Sequence, residues 1–240
     1  MKKKIVEKYS GPHKPQKGVD TNKLRAAVLG ANDGIISVAS IVVGVAGATS
    51  SSVQIVTAGI AGLVAGAISM GLGEYVSVSS QRDTERILLE KQRSFIAAFP
   101  EEKLKEQELL YKAKGLSYKT ARLVAKELSV YDAEAAHLDA EVGIDLDVLT
   151  NPWNAAIASS LAFTAGAIVP LIFIVIVSTG LRVPITIIAV LFALIATGLL
   201  SARASGASKL RSTRRVVVGG LIAMMVTYAI GNFVGHVSIG

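Results

Sequence analysis

Five segments of this sequence are long and apolar enough to cross a lipid bilayer as helices. They are residues 26–48, 53–76, 153–178, 183–202 and 216–237. A helix needs about 20 apolar residues to span the hydrocarbon core, which is roughly 30 Å thick, and inside that core its backbone polar groups must be hydrogen-bonded to each other. We therefore predict an all-α integral membrane protein with five transmembrane helices, numbered here as spans one to five.

Lysine and arginine residues concentrate on one side of these predicted spans. Eight precede span one, eleven lie between spans two and three, and five lie between spans four and five, whereas the other two connections contain only Arg182. Because basic loops stay in the cytoplasm, the N-terminus is predicted to be cytoplasmic and the C-terminus to lie outside. The net charge is +7. Because the basic residues lie on one side of the spans, this excess is explained by membrane orientation and does not indicate a nucleic-acid partner. The expected surroundings are a lipid bilayer.

The charge pattern also divides the chain into four parts. Residues 1–25 are predicted to form a basic cytoplasmic tail, and residues 26–80 contain spans one and two. Residues 81–151 hold 14 acidic and 11 basic residues, a composition typical of a soluble segment, so we predict a cytoplasmic helical insert there. Residues 152–240 contain spans three to five.

Four helices are predicted inside the insert, at residues 82–98, 101–114, 117–128 and 131–142. The first has no helix breaker before it, so we expect it to continue span two. Gly115 is placed to end the second helix, and Ser117 to cap the third.

Only two acidic residues, Asp33 and Glu74, fall inside the apolar segments. An acid in that position normally faces a protein interior or a water path and serves an ion or a proton. Residues 49–52 form a connection short enough to make spans one and two an antiparallel hairpin, whose faces are expected to meet. Asp33, Glu74 and Met70 could then reach similar depths. Carboxylate oxygens with a thioether suit Fe²⁺ or Mn²⁺, whereas Mg²⁺ and Ca²⁺ would gain nothing from sulfur.

Each of these residues also has a purely structural explanation. Asp33 could form a hydrogen bond or an ion pair with Arg25, and Glu74 could be an ordinary interfacial residue. Met70 taken alone is more simply explained by packing in the apolar core. The combination of all three is what favours a cation path.

A second group of metal-ligand types lies in the insert. Glu134, His137 and Glu141 share one helical face by their spacing, and Glu102 and Glu106 could add carboxylates from another helix. A di-iron carboxylate bundle needs two Glu-x-x-His motifs, and this chain has one, so spacing alone favours a solvated charged face. Phosphate-binding loops, serine elbows and zinc-protease motifs are absent from the sequence, which argues against an enzyme and gives no indication of a cofactor.

Three motifs carry a resemblance to a known family. Residues 30–35 read Gly-Ala-Asn-Asp-Gly-Ile, residues 65–75 read Ala-Gly-Ala-Ile-Ser-Met-Gly-Leu-Gly-Glu-Tyr, and residues 79–83 read Ser-Ser-Gln-Arg-Asp. Together with the five spans and the insert after span two, they closely resemble the vacuolar iron transporter family, in its bacterial branch. The resemblance implies a homodimer in a bacterial plasma membrane that exports Fe²⁺ or Mn²⁺, its substrate, from the cytosol in exchange for protons.

The same resemblance assigns roles to individual positions. It implies that Asp33 and Met70 line the translocation path and that the insert collects metal. His137 and Glu141 match positions where the last insert helix supplies ligands, and Glu102 and Glu106 lie near those of the second. This chain departs from plant relatives by carrying Gly62 in place of a glutamate, and Gln92 and Phe95 in place of acidic residues.

The leading hypothesis is therefore a metal transporter in which Glu74 marks the entrance and Asp33 and Met70 the path. An alternative is a membrane protein that does not transport and whose insert binds metal as a sensor or assembly factor. A third hypothesis is a membrane-anchored ferroxidase built on Glu134 and His137.

Overall fold

The computed structural model describes residues 18–141 and 151–237, with the backbone alone for residues 18–26, 131–141 and 204. In these ranges the chain forms seven helices and no strand. In chain order they are α1 (Gly18–Ala48), α2 (Ser52–Ala98), α3 (Pro100–Ala113), α4 (Tyr118–Glu141), α5 (Pro152–Ile176), α6 (Arg182–Ser205) and α7 (Lys209–Val237).

Five of these helices are long and apolar enough to cross a membrane. They are α1 from Ala27 onward, α2, α5, α6 and α7, and they coincide with the five predicted spans. The predicted all-α integral membrane fold is thereby confirmed. α5 remains helical through Pro170, although a proline removes one backbone hydrogen bond from a helix interior.

The chain folds as two compact units. The membrane unit combines the residues up to Tyr75 with those from Pro152 onward, and the insert unit is Val76–Asn151. The cytoplasmic location of the insert remains a prediction.

α1 is the central helix of the membrane unit, and glycines allow its close approach to α5. A Cβ atom added at Gly34 would collide with the backbone of Phe163, and one added at Gly166 would collide with the backbone of Ala31. Small residues at such crossings let two helix backbones approach closely, which drives helix association inside lipid. The part of α1 around Gly34 therefore packs closely against α5.

The other half of α1 packs against α7 in the same manner. Gly231 lies against the backbone of Gly44, and Gly235 lies against Ala48. Met224 of α7 is 1% exposed and belongs to the apolar core. Near the end of α7, His236 is exposed and bonds through Nδ1 to the carbonyl oxygen of Asn232 at 2.7 Å.

α2 packs differently: the faces of spans one and two meet, as predicted, but they do so through side chains and across the cleft described below. Side chains of other helices come closer to its glycines than backbone does: Ile41 faces Gly62, and Phe163 faces Gly66. One hydrogen bond ties α2 to α5, from Ser160 Oγ to the carbonyl oxygen of Ala67 at 2.8 Å. Because bulky side chains hold α2 away from α1, space remains between the two helices.

The insert unit differs from the prediction in the number of its helices. α2 continues without interruption to Ala98, as expected. The third and fourth predicted helices form one helix, α4, since residues 129 and 130 are serine and valine and contain no breaker. The predicted helix ends are confirmed: Gly115 has φ +101°, and Ser117 Oγ accepts a hydrogen bond from the Thr120 backbone N–H at 3.2 Å.

Candidate metal path in the membrane unit

A cleft of about 460 Å³ opens in the membrane unit between α1 and α2, with one contribution from α5. Asp33, Glu74 and Met70, the three residues predicted to act on a metal, all line it. Its complete lining is Asp33, Ser37, Ile41, Gly62, Ala65, Gly66, Ser69, Met70, Gly73, Glu74 and Phe163. The tertiary structure thus brings together residues that are about 40 positions apart in the sequence.

Asp33 is exposed to this cleft and held by one neighbour on its own helix. The hydroxyl of Ser37 donates a hydrogen bond to Asp33 Oδ1 at 3.0 Å. Residues four apart lie on the same face of a helix, so both side chains point the same way. With Oδ1 fixed by this contact, Oδ2 is the carboxylate oxygen left to face a ligand.

The opposite wall is the stripe of small residues on α2. Gly62, Gly66 and Gly73 have no side chains to fill the cleft, whereas Met70 and Glu74 contribute side chains to its lining. Met70 also packs against the edge of the apolar core, which restrains its flexible side chain. The thioether therefore has a defined place beside the cleft.

The residues of the cleft cover a large part of the bilayer thickness. Gly62 and Glu74 are twelve residues apart, which is about 18 Å along a helix, compared with a hydrocarbon core of roughly 30 Å. The remaining ten residues of α2, from Ser52 to Gly62, extend beyond the cleft. The lining of the cleft thus extends along α2 from the end marked by Glu74 to Gly62, about the middle of the predicted span.

The donor atoms along the cleft are of the types that bind divalent transition metals. Two carboxylates and two serine hydroxyls supply oxygen, and Met70 supplies sulfur. The two carboxylates give the cleft negative charge in surroundings of low dielectric constant, where charge interactions are strong. Such an arrangement attracts a cation and stabilises it once it has lost water ligands.

Sequence reasoning missed several residues of this site, among them Ser37, Ser69 and Phe163. Ser37 and Ser69 could have been found, because Ser37 is four positions from Asp33 and Ser69 continues the stripe of Gly62, Gly66 and Gly73. Phe163 could not, since nothing in a single sequence says which span supplies the third wall.

In the insert, the structure describes the side chains of Glu102 and Glu106 but does not join them into a metal site. Both are on α3, and Glu106 forms an ion pair with Lys103, with Oε2 2.7 Å from Nζ. Among the described side chains, no three histidine, cysteine, aspartate or glutamate residues cluster closely enough to hold a metal ion. The side chains of Glu134, His137 and Glu141 lie outside the described part, so their predicted role stays a prediction.

The packing of α3 on α4 explains another acid of the insert. Glu108 is 6% exposed and lies 3.7 Å from Arg122 Nε. Beside it, Gln107 accepts a hydrogen bond from Ser129 at 3.0 Å. These contacts make this face of α3 a helix-packing surface.

Comparison with known proteins is consistent with this architecture. The chain is 38% identical to a vacuolar iron transporter of Acanthamoeba castellanii over 215 residues, covering 87% of this chain and 77% of the relative. It is 34% identical over 217 residues to vacuolar iron transporter homolog 2.1 of Arabidopsis thaliana, with 90% and 83% covered. It is 35% identical over 237 residues to vacuolar iron transporter homolog 1 of Oryza sativa subsp. japonica, with 96% and 84% covered.

The family comparison covers the membrane unit and the insert alike. The model of the VIT family matches residues 24–232, a range that includes the cleft, spans one to four and most of span five. The three relatives above are named as vacuolar iron transporters or their homologs. This agrees with the prediction that the chain is not an enzyme. The resemblance predicted from the three motifs is confirmed, and this chain belongs to the VIT family.

Proposed function

We propose that this protein transports divalent transition metals across the membrane, with Fe²⁺ or Mn²⁺ as the substrate. The observation that carries the proposal is the cleft, in which Asp33, Met70 and Glu74 line one space although they come from two helices. Similarity to proteins named vacuolar iron transporters supports iron as a substrate. The metal is cargo, and the proposal includes no resident cofactor.

In this proposal the metal enters beside Glu74 and moves along the glycine-lined wall of α2 to Asp33. Because the lining of the cleft reaches only as far as Gly62 on α2, release on the other side is proposed to require a change in the packing of α2. That change is feasible, since α2 meets its neighbours mainly through side chains. Opening on alternate sides then moves the ion without a continuous pore.

We further propose export from the cytosol in exchange for protons. Placement of the basic residues supports a cytoplasmic end at Glu74 and an outer C-terminus, in a plasma membrane of bacterial type. A carboxylate that takes up a proton releases a bound cation, so protons entering from outside would discharge metal from Asp33. Gly62 offers no side chain for this exchange, which leaves Asp33 and Glu74 as the proton acceptors.

The insert and a second copy of the chain complete the proposal. Glu102, Glu106, Glu134, His137 and Glu141 are proposed to collect metal before transport. A homodimer is proposed because the chain resembles the vacuolar iron transporter family, and the exposed apolar side chains of α2 would face lipid or the second copy. The exposed apolar residues of this helix are Val53, Ile60, Val64, Ile68, Leu72 and Val76.

The test is metal uptake by proteoliposomes containing the full chain, with Fe²⁺, Mn²⁺, Co²⁺ and Zn²⁺ in competition. We expect Fe²⁺ or Mn²⁺ to accumulate and a pH-sensitive dye to report proton movement in the opposite direction. If no metal crosses, the protein is not a transporter and the sensor hypothesis replaces this proposal. Metal uptake without proton movement would contradict exchange only.

Replacing Met70 by leucine is expected to change selectivity more than folding. Leucine has nearly the same volume, so the packing against the core changes by less than about 1.5 kcal/mol, but the sulfur ligand is lost. Uptake of Co²⁺ and Fe²⁺ should therefore fall more than uptake of Mn²⁺, which prefers oxygen ligands. Met225→Leu, on the exposed face of α7, is the matched control. An unchanged order of the four metals would exclude the thioether as a ligand.

Replacing Ser37 by alanine is expected to weaken metal binding without stopping transport. Ser37 is a positioning residue, because its hydroxyl orients the carboxylate of Asp33. A hydrogen bond to a charged group contributes about 1.5 kcal/mol or more, which corresponds to about a tenfold rise in KM. The maximal rate should change less.

The matched control for Ser37→Ala is Ser40→Ala on the same helix. Ser40 is 9% exposed, and its hydroxyl has no hydrogen-bond partner among the described residues. Its removal should leave KM unchanged. Equal effects of the two substitutions would show that the contact with Asp33 is not what matters.

A further inference from the structure

Arg182 is the one basic residue in the two connections predicted to lie outside, and the fold buries it. It is the first residue of α6 and is 6% exposed. The enclosing atoms belong to its own chain, so neither a second copy nor bulk water covers it. A buried guanidinium needs partners for its N–H groups, because an uncompensated charge is unfavourable in surroundings of low dielectric constant.

The chain satisfies only part of this need. Arg182 Nη2 donates a hydrogen bond to Ser52 Oγ at 2.8 Å. Among the described residues, its Nε and Nη1 have no partner. Thr186, one helical turn further along α6, is fully buried, and its hydroxyl also has no partner in the described part of the chain.

No acidic side chain of the membrane spans can reach this position. The sequence has no acidic residue between Asp33 and Glu74 and none after Asp147. Asp33 is fifteen residues from the end of α1 at Ala48, which is about 22 Å along the helix. Glu74 is 22 residues from Ser52, which is about 33 Å.

Two helix ends add further positive charge at the same place. Ser52 begins α2 and Arg182 begins α6, and the hydrogen bond between them brings these N-termini together. The first N–H groups of a helix have no partner within it, and the helix dipole makes this end favourable for an anion.

We propose that Arg182 and Thr186 hold a small inorganic anion of the size of chloride between the N-terminal ends of α2 and α6. The ion would accept hydrogen bonds from the free guanidinium nitrogens and the threonine hydroxyl. It would compensate the buried charge and so stabilise the ends of two spans. A lipid phosphate does not fit the proposal, because Arg182 is enclosed by its own chain.

The test is thermal unfolding of the full-length protein in detergent, with sodium chloride or sodium gluconate at equal concentration. A ligand that binds only the folded state raises the unfolding midpoint with its concentration. We expect a saturable rise of about 5 °C in chloride, and little or none with the much larger gluconate ion. Equal midpoints in the two salts would mean that water or another group of the chain satisfies Arg182, and would overturn the proposal.

Arg182→Met is expected to abolish the difference between chloride and gluconate. Methionine keeps the apolar stem and removes both the charge and the donors, so no buried charge remains for the anion to compensate. Arg214→Met, at an exposed position of α7, is the matched control and should keep the full chloride effect. An Arg182→Met protein that retains the chloride effect would place the anion elsewhere and contradict the assignment.

Two further measurements keep the proposal testable if Arg182→Met does not fold. Thr186→Val should raise the chloride concentration for half-maximal stabilisation about fivefold, as loss of one hydrogen bond predicts. In crystals of the wild-type protein grown with bromide, anomalous scattering should give a peak beside Arg182. An unchanged half-maximal concentration or the absence of that peak would count against the site, and stabilisation by added phospholipid but not by chloride would replace it with a lipid site.

Discussion

Asp33→Asn is expected to lower metal uptake into proteoliposomes at least tenfold at low metal concentration. Asparagine keeps the size of the side chain and an oxygen that can accept the hydrogen bond from Ser37, so the change is mainly one of charge. Asp33 is one of the two acids that line the cleft. A contact with a charged group contributes about 1.5–3 kcal/mol, compared with about 0.5–1.5 kcal/mol for a neutral one, so loss of the charge should weaken metal binding about tenfold or more. Proton movement coupled to uptake should fall with it.

The control for this experiment is Asp83→Asn, at an exposed position of α2 in the insert unit. It removes the same charge from an exposed helical position outside the cleft and should leave uptake unchanged. Equal amounts of folded protein are verified by gel filtration and by the unfolding midpoint. Uptake by Asp33→Asn at the wild-type rate would remove Asp33 from the path.

Gly34→Ala is expected to destabilise the membrane unit by about 1–3 kcal/mol and to lower its unfolding midpoint by about 3–10 °C. The added methyl group would collide with the carbonyl group of Phe163, and the backbone nitrogen of Ala167 lies 3.1 Å from the same point. Backbone atoms cannot rotate away as a side chain can, so α1 must move from α5. Because Gly34 adjoins Asp33, uptake should also fall.

Gly219→Ala, in α7, is the matched control for this substitution. A Cβ atom at Gly219 would have no neighbour within 4 Å, and alanine is favoured over glycine in a helix by roughly 0.5–1 kcal/mol. We therefore expect an unchanged or slightly raised midpoint. A Gly34→Ala protein as stable as this control would show that α1 and α5 do not need their close contact.

The apolar segments and the two isolated acids were sufficient to predict the spans and the two carboxylates and the thioether of the cleft. A run of about 20 apolar residues is stable in a bilayer as a transmembrane helix, because the helix pairs all its backbone polar groups. The spans therefore follow from local composition. Asp33 and Glu74 stand out because acids are expensive in that setting, and Met70 follows from its helical spacing to Glu74. All three line the cleft.

Other features depended on contacts that a single sequence does not contain. The loose packing of α2 arises because Ile41 and Phe163 fill the space beside its glycines, and helical spacing cannot say whether backbone or a side chain will meet a glycine. The continuous helix α4 was predicted as two, since the boundary was placed where no breaker stands. The third wall of the cleft also emerged only with the folded chain.

The sequence by itself determined the five spans, the helical insert and the identity of the charged residues within the membrane. These depend on the cost of placing each residue in lipid or water, a cost that is local to the residue and its helix. Only the tertiary structure decided that a cleft lies between α1 and α2 and that Arg182 is buried beside Ser52. Both result from packing between helices, which depends on how well the two contacting surfaces fit each other and not on either surface alone.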